Sequence, residues 1–222
     1  MKKTFVMAIL LAFGLGAYAQ KVPKTASLNV SEGSPKEIIL PEPQKDGGKP
    51  LMDCLRERKS LRKFSHHPLD MQILSNLLWA SYGINRDDGR RTAPTARNAQ
   101  DITLYVAMEN GIYLWESRKN VLMLVRDGDF RMETGKQDFV KDAQWNIIIV
   151  SDISKYGEKE DISAVKYGAM SAGYVSENMY LFCASADLAT VARGMFDQNT
   201  LKKLLQLTDQ DMVMLVHSVG AQ

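Results

Sequence analysis

The 222-residue sequence predicts an α+β fold, and three features carry that prediction. Ile102–Met108 has the alternation of a half-buried strand, and Asn110-Gly111 turns the chain directly into a second apolar run, Ile112–Trp115. Asn146–Val150 is a short β-branched run of the kind that fills a central strand. Ile162–Ala186 then forms the longest helical segment, with Gly168, Ala169, Ala172 and Gly173 as a small-residue face and Met179, Leu181 and Phe182 as an apolar one.

The chain divides into three parts. Met1-Lys2-Lys3, an apolar run from Phe5 to Leu15 and Ala17-Tyr18-Ala19 have the layout of a signal peptide over residues 1–19, predicting cleavage after Ala19 and a soluble periplasmic protein. The run is too short to span a bilayer. Residues 20–48 carry Pro23, Pro35, Pro41, Pro43, Gly33, Gly47 and Gly48 without an apolar period, which reads as an extended arm. The globular domain is expected over 49–222. Removing Lys2 and Lys3 brings the 28 basic residues level with the 26 acidic ones, so no electrostatic footprint for nucleic acid exists.

Within the domain, Leu51, Met52 and Leu55 begin a helix that runs into the basic stretch Arg56–Lys63. A firmer helix follows: Asp70 caps it, Leu69 staples it, Ile73, Leu74, Leu77 and Leu78 form its buried stripe, and Gly83 stops it. After a polar loop over Arg86–Arg97 come the hairpin, a third antiparallel strand at Val121–Val125, the Asn146–Val150 strand and the long helix. Small residues on a long helix allow another backbone to approach closely, which points to a core or a subunit interface. A last helix, Thr200–Leu207, and a last strand, Met212–Val219, complete the pattern. Cys54 and Cys183 fall on helices among apolar residues and read as buried free thiols.

No set of side chains presents itself for catalysis without a cofactor. His66, His67 and His217 lack metal-ligand spacing, there is no Gly-x-Ser-x-Gly elbow, and neither cysteine has a histidine placed to activate it. An enzyme of this composition takes its chemistry from a bound cofactor. Three segments have suitable donors. Arg58-Lys59-Ser60-Leu61-Arg62 offers cations and a hydroxyl for a phosphate, although a basic run alone also reads as a solvated face. Pro94-Thr95-Ala96-Arg97-Asn98-Ala99-Gln100 offers amides suited to the edge of a heteroaromatic ring, or is a capped turn. Leu188–Met195, read as the connection between the last two helices, contains Gly194, where backbone can approach a ligand.

Taken in order over Arg56–Gly220, these segments resemble the nitroreductase family of flavin enzymes. Arg58, Lys59, Ser60 and Arg62 match its Arg-basic-Ser-x-basic opening, and Leu77-Leu78-Trp79-Ala80-Ser81-Tyr82-Gly83-Ile84 is similar to its Leu-Leu-Trp-Ala-x-x-Gly-Ile helix end. Pro94, Thr95, Asn98 and Gln100 match a Pro-Ser/Thr-x-x-Asn-x-Gln loop, and Ser176–Leu181 resembles its Gln-Asn-x-Tyr-Leu segment. The strand pair around Leu104–Val106 and Gly111–Leu114 looks like the branch that includes oxidases of peptide azoline rings. Two features depart from the family pattern: Asp187-Leu188 stands where Gly-Leu is usual, and the chain stops at Gln222, where many relatives continue with basic residues.

The resemblance implies a mixed, mainly antiparallel central sheet flanked by helices, with the long helix at the interface of a homodimer. It implies FMN as cofactor, with NADH or NADPH as donor, a small aromatic or conjugated substrate, and a ping-pong cycle through flavin N5. It implies that Arg58, Lys59, Ser60 and Arg62 hold the phosphate and ribityl chain, with Arg62 also favouring the charge of the reduced ring. Pro94, Thr95, Ala96, Asn98 and Gln100 would reach the ring across the dimer, and Val191, Ala192, Arg193 and Gly194 would bring backbone N–H groups to N5. An exported flavin- or aromatic-ligand-binding dimer of the same fold, without efficient turnover, is the alternative.

Overall fold

The computed structural model describes residues 33–158 and 161–222; the segment read as a signal peptide and the first part of the one read as an arm fall outside these residues. The strands are β1 (Glu37–Ile39), β2 (Ile102–Met108), β3 (Gly111–Glu116), β4 (Val121–Asp127), β5 (Trp145–Asp152), β6 (Leu188–Arg193) and β7 (Asp211–Ala221). The helices are α1 (Leu51–Glu57), α2 (Met71–Tyr82), α3 (Ile162–Ser185) and α4 (Gln198–Leu205). One sheet runs in the order β1-β4-β3-β2-β5-β7-β6, and every neighbouring pair is antiparallel.

Local chemistry explains the ends of these elements. The Asp70 carboxylate accepts from the Ile73 N–H (2.9 Å), capping α2. At its other end the Gly83 N–H donates to Trp79 O (2.7 Å), and a Cβ at Gly83 would sit 2.3 Å from Trp79 Cδ1, so no larger residue fits this stop. Met108 pairs with Gly111 across the expected two-residue hairpin. Asp197 caps α4 through the Thr200 N–H (2.7 Å), so that helix begins and ends two residues before the predicted Thr200–Leu207.

Two further findings differ from the sequence expectation. Glu37–Ile39, inside the segment read as an arm, pairs with β4 as an edge strand. Leu188–Arg193, read as a connecting loop, is edge strand β6 paired along β7. A strand with little alternation gives no period-2 signal, and five of its six residues are buried.

β5, buried along nearly its whole length, divides the core in two. Leu74, Leu77 and Leu78 of α2 and Val175, Met179 and Cys183 of α3 cover one face of the sheet. Leu201 and Leu205 of α4 meet Ile148, Val213 and Val216 on the other. The small residues of α3 fall on two adjacent faces. Gly168 and Ala172 are buried, and a Cβ at Gly168 would press on Ser151, whereas Ala169 and Gly173 face outward. Cys54 and Cys183 are both buried and free. Among the described residues no helix is long and apolar enough to cross a membrane.

Candidate functional site

The basic segment leaves α1 at Arg58, whose N–H closes the helix on Cys54 O (2.8 Å). Extended backbone then lays the chain along the free edge of β6, where the Leu61 N–H donates to Thr190 O (2.9 Å). The structure thereby brings the first and third predicted segments together.

Tyr180 of α3 joins them. Its hydroxyl lies 2.8 Å from Ser60 Oγ and accepts from the Ala192 N–H at 2.9 Å, while the Arg58 guanidinium sits 5.0 Å from its ring centroid. One phenol thus fixes a hydroxyl, a cation and a backbone amide relative to one another. Arg56 of α1 is held by Asp53 (2.7 Å) and Glu57 (3.8 Å). Among the described residues no carboxylate pairs with Arg58, Lys59 or Arg62, and Lys59, Ser60 and Arg62 are exposed. Unpaired cations beside a hydroxyl form a donor set that fits a phosphate.

Beneath Tyr180, the buried His217 ring bonds Ser176 Oγ (2.8 Å) and Thr190 Oγ1 (3.1 Å) and meets the Tyr180 ring edge-on at 4.9 Å. Burial, then the neighbouring Arg193 charge, pushes its pKa down to about 3, so the imidazole is neutral at pH 7. Its place is structural: it seats Tyr180 and Thr190.

At the end of β6, Val191 is buried, Ala192 is half-buried and Gly194 is exposed, with nothing within 4 Å of where a Gly194 Cβ would stand. Backbone is therefore open to a planar ligand there. The Arg193 side chain turns into the protein, bonding Ser218, Thr134 and Asn146. The Lys136 N–H donates to Met195 O (3.1 Å), tying the 132–136 turn to the same edge.

The loop of Pro94, Thr95, Ala96, Asn98 and Gln100 lies elsewhere. It enters β2, and in the sheet β5 and β7 separate β2 from β6. Among the described residues no hydrogen bond joins it to the other two segments in the same chain. Arg97, Asn98 and Gln100 all adopt left-handed backbone (φ 56°, 53° and 48°), a local cost that surrounding bonds must offset. The Gln100 N–H donates to Thr95 Oγ1 (2.9 Å), Lys155 Nζ to Gln100 O (2.7 Å), and the buried Arg91 donates to Gln100 Oε1 (3.1 Å). Gln100, assigned to the ring edge with Asn98, thus turns its amide inward as a buttress, while Pro94 and Asn98 remain on the surface. A separate hollow of about 450 Å³ on α4, lined by Lys202, Lys203 and Leu207, contains none of these residues.

The sequence places Tyr180 within a motif without marking it as part of the site, and it does not mark Arg91 at all. Tyr180 had a signal, since it lies one helical turn beyond Ser176 on a face that β6 covers. Arg91 had none, because nothing in a polar loop marks the one arginine that will be buried.

The nitroreductase family model matches residues 55–221. The chain belongs to the nitroreductase family. A protein of Methanocaldococcus jannaschii named as a nitroreductase is 27% identical over 197 residues, covering 82% of this chain and 96% of its own. A solved structure from Ralstonia eutropha, also named as a nitroreductase, is 37% identical with a TM-score of 0.78, covering 84% of this chain and 90% of that one. A third, from Parabacteroides distasonis, is named as an NADH dehydrogenase/NAD(P)H nitroreductase; it is 18% identical with a TM-score of 0.56 over 77% of this chain and 85% of that one, a likeness of fold. The protein is therefore an oxidoreductase built on the nitroreductase fold, and flavin is the cofactor typical of that family.

Proposed function

We propose that this nitroreductase-family protein is an FMN-dependent oxidoreductase, active as a homodimer, that takes electrons from NADH or NADPH and passes them to a small aromatic or conjugated acceptor. The observation that carries the reading is the Tyr180 join. It places the Arg58 guanidinium and the Ser60 hydroxyl, which Tyr180 orients, beside the open backbone at Gly194, a polar end and a flat end suited to a flavin phosphate and ring.

FMN, when bound, supplies reversible hydride transfer, and donor and acceptor use it in turn. Arg58, Ser60 and Arg62 neutralise and orient the phosphate, with Lys59 beside them. Gly194 leaves backbone open at the reactive edge, while Tyr180 holds the Ala192 N–H. Thr95, Ala96 and Asn98 of a partner copy close over the ring, which accounts for a pre-shaped loop left apart from the other two segments in one chain.

The exposed face of α3 supports the second copy. Ile162, Met170 and Tyr174 form an apolar stripe 50–65% exposed, with Gly173 open between them. Leu51, Met52 and Leu55 of α1, which packs on α3, are exposed as well. So large an apolar surface is characteristic of an interaction face. The leader-like Met1–Ala19 supports a periplasmic mature chain beginning at Gln20, which the N-terminal mass of the exported protein would test.

The function is tested by anaerobic titration of the FMN-loaded protein with NADH and NADPH, followed by a nitroarene or a quinone. Bleaching by the donor and recovery on adding the acceptor is the expected result. Retention of FMN without bleaching would instead favour the ligand-binding alternative.

A further inference from the structure

The fold buries two guanidinium groups among the described residues, Arg91 and Arg193. Removing a cation from water is costly unless counter-charge or hydrogen bonds replace the lost hydration. Arg91 lies over the Tyr82 ring (4.4 Å to its centroid) and feels the carboxylate of Glu116. Arg193, only 4% exposed, has no such help among the described residues.

Its Nε donates to Ser218 Oγ (3.0 Å), Nη1 to Thr134 O (2.8 Å), and Nη2 to Asn146 Oδ1 (2.9 Å) and Thr134 Oγ1 (3.3 Å). All four acceptors are neutral. Burial alone shifts its pKa, down to about 10, so the group keeps its charge at neutral pH. The turn is also fitted around it, since a Cβ on Gly135 would fall 1.9 Å from Nη1. Tying that turn to the sheet requires only donors, which a neutral amide would supply at lower cost. What needs a reason is the charge.

We propose that Arg193 is the fixed positive charge that raises the electron affinity of the cofactor held against Ala192–Gly194. Among the described residues nothing compensates this charge, and the reduced ring provides the compensation. The inference rests on the FMN reading above. Hydride transfer from NADH or NADPH leaves the nicotinamide oxidised and adds two electrons and one proton, hence one negative charge, to the ring. A buried cation on the strand that leads to that backbone acts through a poorly screening interior, whereas Arg62, exposed to solvent, is screened. The structure thus moves to Arg193 an electrostatic role that family resemblance gives to Arg62.

The test is the two-electron reduction potential of bound FMN, measured spectroelectrochemically in the wild type, R193M, R193K and N146D. R193M should lower the potential by about 30 mV or more, a tenfold change in the two-electron equilibrium. R193K, which keeps the charge, should stay closer to the wild type. N146D keeps the guanidinium but sets a carboxylate where the 2.9 Å amide acceptor stood, and should lower the potential as R193M does. If R193M fails to fold, N146D decides. An unchanged potential in N146D, or equal losses in R193K and R193M, would leave Arg193 a structural tie and overturn the proposal. A wild-type protein that never retains FMN would overturn the functional reading and this proposal with it, whereas an insensitive potential in a flavin-loaded protein would remove this proposal alone.

Discussion

The hydroxyl oxygens of Ser60 and Tyr180 lie 2.8 Å apart, and the same Tyr180 oxygen accepts the Ala192 N–H at 2.9 Å. Two segments more than 120 residues apart in sequence are thereby set at a fixed distance by one phenol on a third element. Y180F keeps the ring under Arg58 but strands the Ala192 amide and releases Ser60. The expected cost is about 1–3 kcal/mol of stability, with weaker FMN binding, read from urea unfolding and flavin fluorescence titration. Unchanged affinity would mean that Tyr180 supports the fold but not the site.

If Arg58 and Ser60 bind a phosphate, their loss should discriminate between flavins. R58A/S60A should weaken FMN binding by about 10- to 100-fold, from the loss of charge-assisted hydrogen bonds, while leaving riboflavin binding nearly unchanged. Equal losses for both ligands would place these residues on the ring or in the fold instead.

Most of the fold was legible because most elements carry their own signal: a capped stripe in α2, a two-residue turn between β2 and β3, a β-branched run in β5. β1 and β6 had none. β1 is three residues in a proline-rich stretch whose strand character comes from the β4 backbone, and β6 lies almost wholly buried under the 58–65 segment on one side and β7 on the other. The candidate site reads in the sequence as three separate donor sets. What sequence could not supply was their arrangement: that Arg58–Arg62 and Ala192–Gly194 meet through Tyr180, and that the Thr95–Gln100 loop stands apart.

His217 makes stability depend on pH in a stated direction. Its folded pKa, about 3, lies below the 6.5 of a free imidazole, so the unfolded chain takes up the proton first as pH falls. Its contribution is complete above about pH 6.5 and declines by about 1 kcal/mol per unit down to about pH 3. The urea midpoint should be lower at pH 5 than at pH 7, and H217Q should reduce that difference. The same pH dependence in both proteins would place the acid sensitivity elsewhere.

Gly173 separates fold from assembly. Space above it is open in the single chain, so G173L should leave the helix intact and favour it by about 1 kcal/mol. On a helix packed against a second copy, the same side chain should block approach. Light scattering should give twice the chain mass for the wild type and the single mass for the variant, with unchanged far-ultraviolet dichroism. A variant that still dimerises would move the interface off this face of α3.

This chain is expected to hold FMN and to reduce it with a nicotinamide donor. The most direct measurement is the absorbance spectrum of the purified protein from Gln20 onward, after incubation with FMN and desalting, before and after anaerobic NADH or NADPH. Flavin bands that survive desalting and bleach with the donor are the predicted result. A colourless protein after desalting would mean that this chain is not an FMN enzyme.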